Sequence, residues 1–338
     1  MSTEIVLHPA RGSKSALKGL LVEFGFLRTE HLWDWPKGSW HFAWFDPIDY
    51  KSFDGVEATI YAPSEEQQEK LGSCPWALHT RTREHASPAD KTQQNHLIRV
   101  ARRKLGGNFY NDGYGKNRYT PIHKDPRDAR CRGIYLTHTW ITEDLQKVRF
   151  ALPEPLGDLE RLVGTKLEPL STVDPTRVLY NALVPFAISG FESFFRQCFV
   201  VLLQYEEDLQ HRLQEDKGKV TMPDAIGIAS GEKTIHDIVA DRYSFQNMNS
   251  MQSAYKMWLG IDIWKILRKR KKVGRRVVFL DEQIQNILTT RHGIVHRFTV
   301  DRELRKDGIE AILDSILVAI EMFVDYLEND HIGLPIRD

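Results

Sequence analysis

The string Arg291-His292-Gly293-Ile294-Val295-His296 holds the most reactive spacing in the chain. Around it, Ile284, Ile287, Leu288, Ile294, Val295 and Phe298 recur three and four apart, the period of one helix face, and Arg291 falls where that stripe calls for an apolar side chain. A guanidinium in that place is costly to desolvate, so it persists only when paired or when it faces a wet cleft. His292 and His296 are four apart and share a face beside the arginine's edge of the helix. Histidine moves protons near neutral pH, and arginine offers a permanently charged planar fork to a phosphate and to the charge that builds on it. Together they suit phosphoryl chemistry on RNA, with the ribose 2′-hydroxyl as nucleophile and with no metal or cofactor required.

Other readings of the same residues stay open. Arg291 also fits a buried ion pair, and Glu192, embedded in Ile188-Ser189-Gly190-Phe191-Glu192-Ser193-Phe194-Phe195, is the natural partner. The i, i+4 histidines have the spacing of a zinc pair, but Gly293 stands where an H-E-x-x-H site needs glutamate, and no third ligand is evident.

Two cationic stretches lie elsewhere. Lys265–Arg276 carries eight cations and no acid, with Arg268, Lys269, Arg270, Lys271 and Lys272 at its centre. Such runs are commonly solvated faces, yet one just before the Arg/His helix also suits an RNA backbone. In the first half, Arg81–Arg132 holds 13 Lys and Arg against 5 Asp and Glu. There Arg102, Arg103 and Lys104 close an amphipathic stretch, and the Gly/Asn/Tyr-rich segment after it offers Tyr110, Tyr114 and Arg118 as a stacking and phosphate-binding loop or as a tight packed turn. His79-Thr80 and His138-Thr139 are similar to the paired H-x-[ST] motifs of two-histidine phosphoesterases, although Arg81 and Trp140 replace the hydroxyl residue.

The elements that must position these groups divide into two kinds. The chain has 338 residues, 41% hydrophobic and 27% charged, with 46 cationic and 46 acidic side chains, which suits two globular domains and argues against wholesale wrapping of nucleic acid. Alternating runs at Trp40–Phe45, Val56–Ala62 and Ile134–Trp140 predict strands, and Ala89–Leu105 predicts one helix ended by Gly106-Gly107. Residues 1–150 therefore read as an α+β recognition or sensor domain. Pro153, Pro155, Pro169 and Pro175 mark 151–175 as a linker. Residues 176–330 read as an all-α helical bundle, with helices at Leu183–Leu203, Met248–Leu259, Ile284–Phe298 and Ile309–Leu327. Three cysteines without a C-x-x-C pair, no apolar N-terminal core and no membrane-length apolar run predict a cytoplasmic protein without a membrane partner.

With these pieces in order, residues 176–330 resemble the HEPN (higher eukaryotes and prokaryotes nucleotide-binding) domains, particularly the bacterial RiboL-PSP-HEPN group. Arg177–Cys198 with its Phe191-Glu192 step resembles the family's first long helix. Phe245-Gln246-Asn247 and Leu259-Gly260-Ile261-Asp262 are similar to its middle segment, Arg291–His296 to its R-x4-6-H motif, and Asp301–Leu327 to its closing helix. The resemblance implies a metal-independent endoribonuclease working as a homodimer, with Arg291 and His296 catalytic, His292 supporting and Glu192 orienting Arg291. It further implies a toxin-like effector in antiviral or stress defence, held in check by an antitoxin or regulatory partner. Non-catalytic HEPN domains that only dimerise or bind partners are the alternative. Residues 1–150 resemble no family.

Overall fold

The computed structural model describes residues 2–30, 35–65, 74–153, 175–206, 209–215, 218–274, 276–297, 300–301 and 303–337. The chain forms two compact units, Met1–Ala129 and Arg130–Asp338.

In the first unit a strand β1 (Thr3–His8) lies near the middle of a seven-stranded sheet that also holds β2 (Leu27–Thr29), β3 (Trp40–Trp44), β4 (Val56–Tyr61), β5 (Ala77–Thr82), β6 (Asn108–Asn111) and β7 (Gly115–Lys116), in the order β2-β3-β4-β5-β1-β6-β7. Every described pairing is antiparallel. Alternation directs Ile5, Leu7, Phe42, Val56, Ala58, Ile60, Leu78 and Phe109 to one face, where they meet Leu17, Leu20 and Leu21 of the helix Lys14–Glu23 and Leu97, Ile98 and Ala101 of the helix Pro88–Leu105. Both strands predicted in this region and the helix form as the patterning indicates.

The N-terminus of Pro88–Leu105 is held by charge as well as by packing. Ser87 and Asp90 form a capping box, and the fully buried Asp90 carboxylate also accepts from the Phe53 and Asp54 amides at 3.0 and 3.3 Å. One side chain thus ties the turn before β4 to the helix. Gly106 ends the helix at φ 67, and at Gly107, φ 90, a Cβ would stand 2.0 Å from the His8 carbonyl, so only glycine passes there.

The helix Ala129–Phe150 opens the second unit, which starts at Arg130, and it corrects one expectation: Ile134–Trp140 is helical rather than a strand. The β-branched and aromatic residues of Ile134-Tyr135-Leu136-Thr137 favour strands locally, but Cys131 through Thr137 is nearly all buried, and tertiary packing overrides so weak a preference. Of the predicted linker 151–175, residues 154–174 lie outside the described ones.

Beyond it, the helices Pro175–Tyr205, Met248–Leu259, Leu280–Arg297 and Lys306–Tyr326 follow the predicted stripes, with shorter helices between them. Pro175–Tyr205 is the core helix: Phe191, Phe194, Phe195 and Phe199 are fully buried, Phe191 packs on Phe195 at 4.7 Å, and the other three meet Tyr255 or Phe323 at ring separations of 5.0 to 6.2 Å. It is long and apolar enough to cross a membrane, yet 61% of its most apolar window is buried within this fold. The second unit is not wholly helical. Strands β8 (Arg270–Val273) and β9 (Arg276–Phe279) form an antiparallel hairpin turning at Gly274, because Val273, Val277 and Val278 favour extended backbone and Gly274 supplies φ 56.

Replacing Asp90 by alanine is expected to destabilise the protein by about 2–3 kcal/mol, because it orphans buried amides as well as the cap. Thermal melting of Asp90→Ala beside Asp90→Asn checks this, and Asp90→Asn should lose less.

Candidate active site

The motif helix Leu280–Arg297 is anchored at its start and open at its end. Asp281, in its first turn, is buried and receives Arg268 Nε at 3.3 Å, and Ile284, Ile287 and Leu288 are buried against the unit. Toward the C-terminus the stripe loosens: Arg291 and Ile294 are half-buried, and Val295, His292 and His296 are exposed. Phe298 lies outside the described residues.

Antiparallel packing on Pro175–Tyr205 fixes which residues meet. Asn181 and Asp301 exchange two hydrogen bonds, Asn181 Nδ2 to the Asp301 carbonyl at 2.9 Å and the Asp301 amide to Asn181 Oδ1 at 2.8 Å. Eleven residues farther along, Glu192 feels the charge of Arg291. Between these two positions on the helix, Phe186 is 68% exposed.

Burial pushes the Glu192 carboxyl above the usual carboxylate range, opposed by the Arg291 guanidinium and by a hydrogen-bonding contact with Gln246. The expected ion pair is not closed. No hydrogen bond or contact within 4 Å joins the two side chains, and Glu192 Oε1 and Arg291 Nε are both buried with no protein partner. A half-buried guanidinium and carboxylate thus keep unspent hydrogen-bonding capacity. On the same helix as the guanidinium, the His292 and His296 rings lie 4.5 Å apart at 40°. A Cβ on Gly293 would meet nothing within 4 Å, so this side of the helix is open. The last turns of one helix therefore carry two exposed imidazoles and a half-buried fixed cation.

Gln246 is the residue that sequence reasoning missed as a site group. It precedes the Asn247 cap of the helix Met248–Leu259, and only tertiary packing brings it to Glu192.

The remaining expected groups scatter. Of the cationic run, Arg268 pairs with Asp281, Arg270 and Lys272 are exposed on the hairpin, Lys271 is half-buried, and Arg275 lies outside the described residues. In the first unit Arg102 Nε donates to the Gly107 carbonyl at 3.2 Å, and Lys104 pairs with Glu23 at 2.9 Å. Arg103, Tyr114 and Arg118 are exposed. Tyr110, 40% exposed, neighbours the core residue Phe109 on β6 and so projects from the sheet face opposite the helices.

Of the two His-Thr steps, His79 binds Glu4 at 3.0 Å in the first unit and His138 binds Glu321 at 2.7 Å in the second. Among the described residues no three His, Cys, Asp or Glu side chains gather as a metal-binding group. The three cysteines are free and buried, and burial pushes the Cys198 thiol well above its ordinary value.

Comparison with protein-family models, with curated proteins and with solved structures finds no match.

Because folding raises the Glu192 carboxyl's proton affinity, the native state holds more protons than the unfolded one between the ordinary carboxylate range and the raised value. Stability from this group is therefore greatest below that window and falls as pH rises through it. Glu192→Gln should flatten that fall and melt at or above the parent's temperature near neutral pH. Thermal melting from about pH 4 to pH 7 reads the difference.

Proposed function

We propose that the helical unit is a HEPN-type endoribonuclease that cuts RNA without a metal by attack of the ribose 2′-hydroxyl, leaving a 2′,3′-cyclic phosphate and a 5′-hydroxyl. The observation that carries this reading is the unclosed pair: Arg291 acts on Glu192 by charge without an ion pair, on the helix that also carries two exposed, neighbouring imidazoles. A structural arginine would be expected to spend its charge on the carboxylate beside it.

In this reading His296 takes the 2′-hydroxyl proton or returns one to the leaving 5′-oxygen, His292 supports it, and Arg291 holds the phosphate and stabilises its developing charge. Glu192 positions Arg291 by charge rather than by a direct bond. The substrate is confined to RNA by the nucleophile it supplies.

One Arg/His set per chain is half of the acid/base pair such a cut requires, and a two-fold axis through the helical unit doubles it. Exposed apolar residues on the first long helix support this assembly: Val178 at 54%, Leu179 at 51% and Phe186 at 68% stand on the element that carries Glu192. In the cell the protein acts as a cytoplasmic toxin-like effector in antiviral or stress defence under a regulatory partner or antitoxin, with the first unit as sensor.

The same apolar face also suits a non-catalytic HEPN module that only dimerises or binds partners, and activity decides between the two. Purified protein should cut single-stranded RNA in EDTA and leave DNA intact. His296→Ala should lose activity by at least a hundredfold with little change in melting temperature, since it removes an exposed side chain. Arg291→Lys should fall as steeply, because the planar fork is lost while charge is kept. A parent without ribonuclease activity whose Arg291→Met variant unfolds would establish a structural role and the interaction module.

Phe186→Glu should convert a dimer to a monomer and reduce cleavage together with it, as read by light scattering and activity at matched concentrations. A parent that is monomeric while fully active would remove the composite site.

A further inference from the structure

The hairpin β8–β9 has two unlike faces. Arg270 pairs opposite Phe279 and Lys272 opposite Val277, so these four share one face, while Lys271, Val273, Arg276 and Val278 share the other. The second face lies on the unit, with Val273 buried and Lys271 and Val278 half-buried. The first is open: Val277 is 68% and Phe279 40% exposed, and the Arg270 guanidinium sits over the Phe279 ring at 4.8 Å. Among the described residues neither Arg270 nor Lys272 has an ion-pair partner, whereas Arg268, just before the hairpin, is taken by Asp281.

An exposed strand face carrying unneutralised cations beside an aromatic ring with a stacked guanidinium matches a flexible polyanion whose bases are free to stack. A duplex offers such a face only its backbone. The hairpin runs directly into the motif helix, with the Leu280 amide bonded to the Lys269 carbonyl at 3.2 Å, so the platform and the Arg/His site are joined by one rigid element. Arg291 lies eleven residues along it, about 16 Å at helical rise. The exposed side of the intervening helix presents Gln285, Asn286 and Thr289, uncharged and capable of hydrogen bonds, with Glu282 as the carboxylate at the hairpin end.

We propose that the Arg270/Lys272/Val277/Phe279 face is a remote binding platform for single-stranded RNA, engaging nucleotides several positions from the phosphate held at Arg291. The placement of that phosphate rests on the ribonuclease reading; the platform itself does not. The platform makes the enzyme favour long unstructured strands, since a dinucleotide at Arg291 does not reach it.

The test uses the full chain and two variants, Val277→Ser with Phe279→Ala, and Arg270→Gln with Lys272→Gln, each matched to the parent in melting temperature. Fluorescence anisotropy with a long unstructured RNA should show about tenfold weaker binding for the aromatic variant with an unchanged salt slope. The charge variant should lower the slope by about 1.4, at roughly 0.7 per phosphate contact. Cleavage of the long strand should fall with both variants, and cleavage of a dinucleotide with neither. Parental binding by both variants, no RNA binding by the parent, or equal losses on duplex RNA would overturn the platform. A parent that binds RNA with this dependence yet cuts none supports the platform and defeats the ribonuclease reading instead.

Discussion

The aromatic wall of Pro175–Tyr205 sets the position of everything else in the helical unit. Phe194, Phe195 and Phe199 lock against Tyr255 and Phe323, Phe191 packs on Phe195, and the Tyr255 hydroxyl donates to the Phe195 carbonyl at 2.7 Å. Interlocked rings fix the rotation of a helix because each fills a shaped space that a turned helix would leave empty. With Phe191 pinned inward, its neighbour Glu192 has one direction left, toward the motif helix. The phase of the core therefore decides where the carboxylate stands, and through it the surroundings of Arg291.

Glu192 is carried by this helix and Arg291 by one whose apolar stripe is buried at Ile284, Ile287 and Leu288. The two opposite charges feel each other yet close no ion pair: burial raises the carboxyl, and the guanidinium keeps Nε without a hydrogen bond.

The hairpin and the first unit follow similar logic with different outcomes. On the hairpin, register sorts cations and apolar residues onto a solvent face, turning what reads as a charge run into a surface with a direction. In the first unit register separates instead. Phe109 and Tyr110 are adjacent in sequence but face opposite sides of the sheet, so Tyr110 projects away from the basic helix while Arg99 and Arg102 of that helix stack on Tyr119 and Phe109.

The sequence by itself determined the elements whose periodicity is strong. The stripes of Met248–Leu259 and Lys306–Tyr326, the capped helix Pro88–Leu105 and the alternating strands β3 and β4 are legible because repeated apolar positions sum many small preferences. It also singled out Arg291, His292, His296 and Glu192, since a charge on an apolar stripe violates the pattern visibly. The short run Ile134–Trp140 was misleading because seven residues carry too little periodicity to outweigh their strand propensity, and burial within a helix decided it. Only the tertiary structure showed that Glu192 and Arg291 stand together unpaired, that Gln246 joins them, and that Arg270 stacks on Phe279. Such relations depend on helix rotation and strand register, which long-range packing sets and local sequence does not encode.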